Sequence, residues 1–403
     1  MIRRAGLVQQ LIDNIGTKQI KVIVGLRRAR KSVLLFNLFY DYLKDNGYDS
    51  KHIITMKLDL DSNEKYCDKV KLREFIVQQI KDEQKYYIFL DEIQLVPGFE
   101  ALLNGINAQY NVSIFVTGSN SQMLSSDIDT KFRGRSTTIK VYPLSFAEFY
   151  SSCGGDKAKA FGEYLTYGGM PGLSALAGNA AKVKYLESLY QTVYRLDIIE
   201  RYHIKNDAAL DELYDVLCSN IGSYTSATKL ENTLKSKKIA VSDDCINKYL
   251  NCFTESFLFE KLKRYDLKGK QYFATLQKFY CVDLGLRNAR LRFSQDEITH
   301  AFENVVCIEL LRRGYQVDIG INKNKEVDFV ARLGGDQYYI QCAYVLPNQE
   351  KIKQELGSFK SLDDGYKKIV LSSDIYLMPN LGNGYKHMNI IDFLLDEHAL
   401  EKI

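Results

Sequence analysis

Apolar residues in the first 150 positions form short β-type runs that alternate with helical runs. Five of these runs predict strands, at residues 20–24, 53–58, 86–90, 113–116 and 137–141. Because the runs are almost continuously apolar, both faces of the sheet are expected to be covered by helices, as in a parallel sheet. The pattern therefore predicts an α/β domain over residues 1–150, with a parallel sheet and flanking helices.

The pattern changes twice after this domain. Residues 151–290 are mostly helical in pattern, and residues 291–403 return to mixed α/β. Within the middle region, residues 208–280 are spaced like a winged helix, with three short helices followed by two strands at 258–262 and 272–276. We therefore expect three domains, 1–150, 151–290 and 291–403.

Composition and charge narrow the class of protein. Of the 403 residues, 46% are hydrophobic and 26% are charged, as in globular proteins. No apolar stretch approaches the ~18 residues of a membrane helix, and the N-terminus lacks a signal-peptide core, so we expect a cytoplasmic protein without membrane contact. The 8 Cys contain no C-x-x-C pair and the 5 His are scattered, which argues against structural zinc. A net charge of +4 permits nucleic-acid binding without requiring it.

The strongest chemical signal is the octapeptide at residues 25–32, Gly-Leu-Arg-Arg-Ala-Arg-Lys-Ser. It begins at Gly25, follows a predicted strand and precedes a predicted helix, which is the context of a phosphate-binding loop. Lys31 is expected to reach the β- and γ-phosphates of ATP, and Ser32 to coordinate Mg²⁺. Arg30 stands where the pattern has a glycine, so its side chain would either obstruct the pocket or meet a phosphate. A basic turn without a ligand is the alternative.

Polar residues also follow the next predicted strands. Asp91 would hold the Mg²⁺ shell and Glu92 would polarise the attacking water, although an ordinary acidic turn is the alternative. Asn120 would sit beside the γ-phosphate, and a plain Ser/Asn turn is the alternative. Arg135, or Arg133, would act as an arginine finger on the nucleotide of a neighbouring subunit in a homo-oligomer. A solvated basic turn explains these arginines equally well.

Together these motifs resemble one family. The runs G-x-R-R-x-x-K-S, L-D-E-I-Q, T-G-S-N-S, R-G-R and P-L-S-F-x-E-F occur in the order seen in prokaryotic AAA-type ATPases that carry a C-terminal domain of unknown function, number 4143. Segments at residues 167–171, 197–202, 326–331 and 339–341 also match, so the resemblance spans nearly the whole chain. It implies an AAA-like ATPase module and no particular biological role. Since Arg30 departs from the family's glycine, the resemblance implies the fold without implying the activity.

The last region resembles the PD-(D/E)-x-K nuclease fold. Such nucleases need two carboxylates to hold Mg²⁺ and a lysine to position water. Glu303 and Asp328 would supply carboxylates, but Gln341 stands at the position of the second strand carboxylate and Ala343 at that of the lysine. The resemblance therefore predicts a nuclease-like scaffold without cleavage.

Three functions follow from these features, in decreasing order of support. The first is an ATP-hydrolysing switch coupled to DNA or a protein partner; the second is a binding scaffold with a degenerate nucleotide site; the third is a DNA nuclease. Residues 261–270 contain five basic residues and one acid, so the winged helix would contact duplex DNA through phosphates. A solvated hairpin beside a protein-binding helical surface is the alternative, and is the commoner outcome for charged runs.

Overall fold

The chain folds into two compact units. The computed structural model describes residues 2–119, 130–132, 134–205, 207–294, 298–360, 362–375 and 381–402. One unit comprises Met1–Tyr142 with Glu255–Phe257, and the other comprises Pro143–Thr254 with Leu258–Ile403. The division into domains at residues 150 and 290 stays a prediction.

A five-stranded parallel sheet organises the first unit. Its strands are β1 (Ile20–Gly25), β2 (Ile53–Lys57), β3 (Tyr86–Asp91), β4 (Val112–Gly118) and β5 (Ser136–Val141), in the spatial order β2-β3-β4-β1-β5. Every neighbouring pair is parallel. All five predicted strands are confirmed, with ends that differ by at most two residues. Every residue of β1, β3 and β4 is buried, which is why these runs are almost continuously apolar.

Helices flank this sheet. They are α1 (Ala5–Asp13), α2 (Lys31–Val33), α3 (Tyr40–Asp45), α4 (Lys69–Gln79) and α5 (Phe99–Gln109). A π-helical segment, Leu34–Phe39, joins α2 to α3. Phe39 anchors this long helical stretch, because its ring centroid lies 4.9 Å from that of Phe115 on β4 and 5.6 Å from that of Phe89 on β3. The packing fixes the start of α2 just beyond the carboxyl end of β1.

A mixed seven-stranded sheet organises the second unit. Its strands are β6 (Phe259–Asp266), β7 (Gln271–Cys281), β8 (Gln316–Asn322), β9 (Lys325–Leu333), β10 (Asp336–Ala343), β11 (Lys367–Ser372) and β12 (Lys386–Asn389), in the order β12-β11-β10-β9-β8-β6-β7. The hairpin β6–β7 contains the two strands predicted for a wing. It joins the C-terminal strands, because residues 264–266 pair with 319–321 of β8. That it works as a wing stays a prediction.

The helices of the second unit lie before, between and after these strands in the sequence. They are α6 (Phe146–Cys153), α7 (Lys157–Tyr167), α8 (Asn179–Val193), α9 (Asp207–Ser219), α10 (Ala227–Ser236), α11 (Asp243–Glu255), α12 (Leu284–Arg290), α13 (Ile298–Arg312), α14 (Gln349–Glu355) and α15 (Ile390–Leu395). Ser145 and Glu148 form a capping box at the start of α6, which gives the P-L-S-F-x-E-F motif a structural role. Among the described residues, no helix has the length and apolar character needed to cross a membrane.

The Gly168-Gly169 pair of the second unit also has a structural role. A Cβ on Gly168 would lie 2.3 Å from the Asp283 carboxylate, and one on Gly169 would lie 2.2 Å from the carbonyl oxygen of Leu144. The close approach lets the Gly169 N–H donate to Asp283 at 2.8 Å. Burial raises the pKa of Asp283 to about 6, against the effect of the backbone N–H groups that it accepts. The glycines are therefore explained by packing around a buried carboxyl group.

Candidate functional site

The carboxyl ends of β1, β3 and β4 meet at one edge of the parallel sheet. The register pairs Val24 with Gly118, and Leu90 with Val116. The phosphate-type loop, the two carboxylates that end β3 and the polar residues that end β4 therefore lie side by side. This edge is where ligands bind in open parallel sheets.

The loop at residues 25–32 takes a tightly bent path. Gly25 has φ 148°, and a Cβ there would lie 2.1 Å from the carbonyl oxygen of Val141 on β5, so only glycine fits. Arg30 has φ 65° and ψ 40°, the left-handed conformation that glycine favours. The chain therefore makes the turn with an arginine, at a conformational cost of about 1–2 kcal/mol. The strain explains why the pattern has glycine at this position.

Lys31 is the first residue of α2, and its side chain bends back over the loop. The residue is 5% exposed, and its ammonium group donates to the carbonyl oxygens of Gly25 at 2.9 Å and Leu26 at 3.2 Å. This arrangement holds a buried positive charge within the concave face of the loop. The start of a helix adds backbone N–H groups and a partial positive charge at the same place.

Ser32 and Asp91 supply neighbouring oxygen atoms beside this charge. The Ser32 hydroxyl donates to Oδ1 of Asp91 at 3.0 Å, and the Thr117 hydroxyl donates to the same oxygen. Burial raises the pKa of Asp91, while these hydroxyl hydrogen bonds oppose the shift. Hydroxyl and carboxylate oxygens are the protein ligands that Mg²⁺ prefers. The donor set therefore fits a magnesium ion bound together with a phosphate group.

Glu92 is held in a defined orientation by residues of β4 and the turn that follows β3. Its backbone is left-handed, with φ 51°, and its N–H donates to the Thr117 hydroxyl at 3.0 Å. Its carboxylate accepts from Ser119 Oγ at 3.3 Å and from Gln94 Nε2. Thr117, Ser119 and Gln94 are positioning residues whose orienting role the sequence did not reveal. The sequence signal that could have revealed this role was the position of these residues at or just after the ends of two adjacent strands.

Three further residues were predicted for the nucleotide site, Asn120, Arg133 and Arg135. Asn120 lies outside the described residues, as does Arg133. Arg135 is exposed and immediately precedes β5; its carbonyl oxygen accepts from the N–H of Ile20, the first residue of β1. It therefore lies at the amino edge of the sheet, roughly 17 Å along β1 from the loop. Any contact of Arg135 with a nucleotide would have to involve another copy of the chain.

The structure does bring together Glu303 and Asp328 in the second unit. Lys278 of β7 lies between carboxylates, with Nζ 3.2 Å from Oε1 of Glu303 and 2.6 Å from Oε1 of Glu326. The Tyr280 hydroxyl donates to the same oxygen of Glu303 at 2.5 Å. Oδ2 of Asp328 accepts the Cys342 N–H at 2.7 Å. Sequence reasoning missed Lys278, because it lies 25 residues from the nearest of its partners.

The side chain of Lys278 carries the positive charge inside this cluster of carboxylates. Burial by itself lowers the pKa of Lys278, but Glu303 and Glu326 outweigh it and hold the pKa above its ordinary value. Burial raises the pKa of Asp328 well above its ordinary value, and the charge of Glu303 adds to the shift. Among the described residues, no three His, Cys, Asp or Glu side chains are placed to hold a metal ion.

Gln341 takes part in a separate set of hydrogen bonds. Its Nε2 donates to Glu355 at 3.0 Å, and its Oε1 accepts from the Ser358 hydroxyl at 3.1 Å. The amide therefore links β10 to α14 and the turn that follows it. Both the Nε2 and the Oε1 atom of Gln341 therefore have hydrogen-bond partners, as buried polar atoms in protein cores usually do.

Replacing Lys278 by methionine should destabilise the protein by about 3 kcal/mol, because it leaves the buried Glu303 and the half-buried Glu326 without their cation. Chemical denaturation would measure the change. Lys263→Met, at an exposed position on the neighbouring strand β6, is the control and should change stability by less than about 0.5 kcal/mol. A loss below about 1 kcal/mol in Lys278→Met would contradict a structural role for the ion cluster.

Sheet order, loop and carboxylates together define the class of the first unit as a P-loop ATPase fold of the AAA type. A family model described as an AAA domain matches residues 17–150. A second, described as a domain of unknown function (DUF8612), matches residues 158–297. The expected identity with domain 4143 and the nuclease-like identity are not confirmed by these matches.

Two other proteins and one solved structure are similar to this chain. The chain belongs to one family with an uncharacterized protein of Haemophilus influenzae, with which it is 35% identical over 401 residues, 98% of this chain and 99% of the relative. The uncharacterized protein MJ1544 of Methanocaldococcus jannaschii is 28% identical over 411 residues, 95% of this chain and 86% of that protein. The Walker-type ATPase paby2304 of Pyrococcus abyssi is similar in fold, with a TM-score of 0.52 at 13% identity, covering 72% of this chain and 96% of that one.

Proposed function

We propose that this protein binds and hydrolyses ATP, and that the bound nucleotide works as a switch coupled to a partner, either DNA or another protein. The observation that carries the proposal is the meeting of Lys31, Ser32, Asp91 and Glu92 at one sheet edge, with Ser32 Oγ 3.0 Å from Asp91 Oδ1. These residues come from two separated segments of the chain, residues 31–32 and 91–92. Their convergence supports a site for a magnesium nucleotide.

Each residue of the site has a proposed role. Gly25 and the loop backbone would cradle the phosphates, and the Lys31 ammonium would neutralise the β- and γ-phosphate oxygens. Ser32 and Asp91 would hold Mg²⁺, which when bound offsets the phosphate charge. Glu92, oriented by the bonds from Thr117, Ser119 and Gln94, would accept a proton from the attacking water.

The test of binding is a calorimetric titration of the full chain with MgATP. We expect micromolar affinity from the parent protein, followed by phosphate release in a hydrolysis assay. If the parent does not bind and only Arg30→Gly does, the second candidate function stands, in which the protein is a binding scaffold with a degenerate nucleotide site. The observation that favours this alternative is the left-handed backbone at Arg30, a conformation that glycine adopts more easily than arginine.

Two residues would complete the site from outside the loop. Asn120 would contact the γ-phosphate, because it belongs to the polar segment that follows the next strand after Asp91 and Glu92 in the sequence. Arg135 would act on the nucleotide of a neighbouring copy, which agrees with its exposed place at the opposite edge of the sheet.

Mixing Arg135→Ala protein with Lys31→Ala protein tests this role. Hydrolysis should reappear in the mixture, because each variant supplies the residue that the other lacks. No recovery, or full activity of Arg135→Ala alone, would remove Arg135 from the reaction.

The remaining regions would transmit or use the nucleotide state. We propose domains at 1–150, 151–290 and 291–403, with a winged-helix arrangement in the middle region and a nuclease-like scaffold at the end. Lys278 supports a scaffold without cleavage, because its ammonium group pairs with Glu303 and Glu326 and would compete with Mg²⁺ for these carboxylates. Incubating the full chain with Mg²⁺ and supercoiled plasmid DNA tests this. Nicking that disappears in Asp328→Asn would favour the nuclease instead.

A further inference from the structure

Five exposed lysines lie on three turns at one end of the seven-stranded sheet. Lys268 and Lys270 are on the turn between β6 and β7, and Lys323 and Lys325 are at the turn between β8 and β9. Lys360 follows the helical turn at residues 356–358. We call these five residues the lysine end of the sheet. Only the first two belong to the basic run that the sequence revealed.

Backbone and side-chain bonds hold the three turns together. The Leu267 N–H donates to the carbonyl oxygen of Ile321 at 3.0 Å, which joins the first turn to the second. The buried amide of Asn322 donates to the carbonyl oxygens of Ser358 at 2.9 Å and Lys360 at 2.8 Å, which joins the second turn to the third. The five positive charges therefore lie on one fixed surface rather than on independent loops.

Three carboxylates on or beside these turns have partners other than the five lysine ammonium groups. Asp266 Oδ1 accepts the backbone N–H groups of Lys268 and Gly269, both at 3.0 Å. Glu326 binds Lys278 at 2.6 Å, and Glu355 binds Lys351 at 2.5 Å. Within the described part of the chain, none of the five lysines forms an ion pair. The surface therefore carries a concentrated positive charge that a polyanion would neutralise.

We propose that the lysine end binds the phosphate backbone of duplex DNA. The inference rests on the proposed function in one respect, since it names DNA as the partner. Protein interfaces have apolar or aromatic centres and few lysines, whereas DNA interfaces are polar and strongly positive. Among the described residues, no large apolar side chain of the three turns is exposed; the nearby exposed Tyr272 packs against Tyr265 and its hydroxyl bonds Asp318 at 3.0 Å. Lysine contacts to phosphate carry no sequence information, so binding is independent of sequence and sensitive to salt.

Fluorescence anisotropy with a labelled duplex DNA and the full chain, without nucleotide, tests the proposal. With up to five phosphate contacts, the logarithm of the affinity should fall with the logarithm of salt concentration with a slope near −4.5. Reversing one charge in each turn, in the triple variant Lys268→Glu, Lys323→Glu, Lys360→Glu, should weaken binding at low salt at least 30-fold. The neutral variant with glutamine at the same three positions should weaken it about tenfold and reduce the slope by nearly three.

The matched control changes three exposed lysines elsewhere in the same unit and outside the predicted winged helix, in the variant Lys157→Glu, Lys159→Glu, Lys184→Glu. It alters net charge equally and should change affinity less than threefold. Equal losses in both charge-reversed variants would show a general charge effect and overturn the proposal, as would the absence of binding at 50 mM salt. Tighter binding of polyglutamate than of DNA would overturn it in favour of an acidic protein. Because nucleotide is omitted, failure here and failure of ATP binding are distinguishable.

Discussion

Replacing Lys31 by alanine is expected to abolish MgATP binding in a calorimetric titration, with at least a 100-fold loss of affinity. The Lys31 ammonium is the buried positive charge at the loop, 2.9 Å from the Gly25 carbonyl oxygen. Alanine removes the charge-assisted hydrogen bonds that would meet the phosphates, and such bonds contribute about 1.5–3 kcal/mol each. The shape of the loop should survive, because Gly25 and the pairing of β1 with β5 set it.

Variants at Arg30 are the controls for this experiment. Arg30→Ala deletes the side chain but keeps the left-handed strain, whereas Arg30→Gly removes both. If the arginine is tolerated, all three proteins with Lys31 bind within about tenfold of each other. If Lys31→Ala binds MgATP as tightly as the parent, the nucleotide does not occupy this loop and the proposed function is wrong.

Replacing Glu92 by glutamine should leave MgATP binding within a few-fold of the parent and reduce hydrolysis by about 100-fold or more. Glutamine preserves the size of the side chain but has no basic oxygen, and general-base catalysis typically contributes about 10²–10⁴-fold. The loss should therefore appear in the rate of phosphate release at saturating ATP.

Glu74→Gln, at an exposed position on α4, is the matched control and should leave both measurements unchanged. Gln94 and Ser119 act through Glu92, so their removal should lower the rate less than Glu92→Gln does. Full hydrolysis by Glu92→Gln would exclude this carboxylate as the base and leave only a structural role for it.

The sequence by itself determined the parts of the protein that depend on local pattern. Buried parallel strands are almost continuously apolar, so all five strands of the first unit were predicted within two residues. Gly25, Lys31 and Ser32 have fixed spacing within one loop, and Asp91 and Glu92 follow directly after a strand. Since the carboxyl ends of parallel strands share one edge, the meeting of these residues followed from their positions alone.

Only the tertiary structure decided the features that depend on residues far apart in the chain. No local pattern indicates that Thr117 and Ser119 orient Glu92, that the β6–β7 hairpin joins the C-terminal strands, or that Lys278 is the cation between Glu303 and Glu326. The lysine end likewise exists only because three separate turns are bonded together. Each of these depends on strand pairing and side-chain contact across 25 residues or more, and hydrophobic periodicity carries no information at that distance.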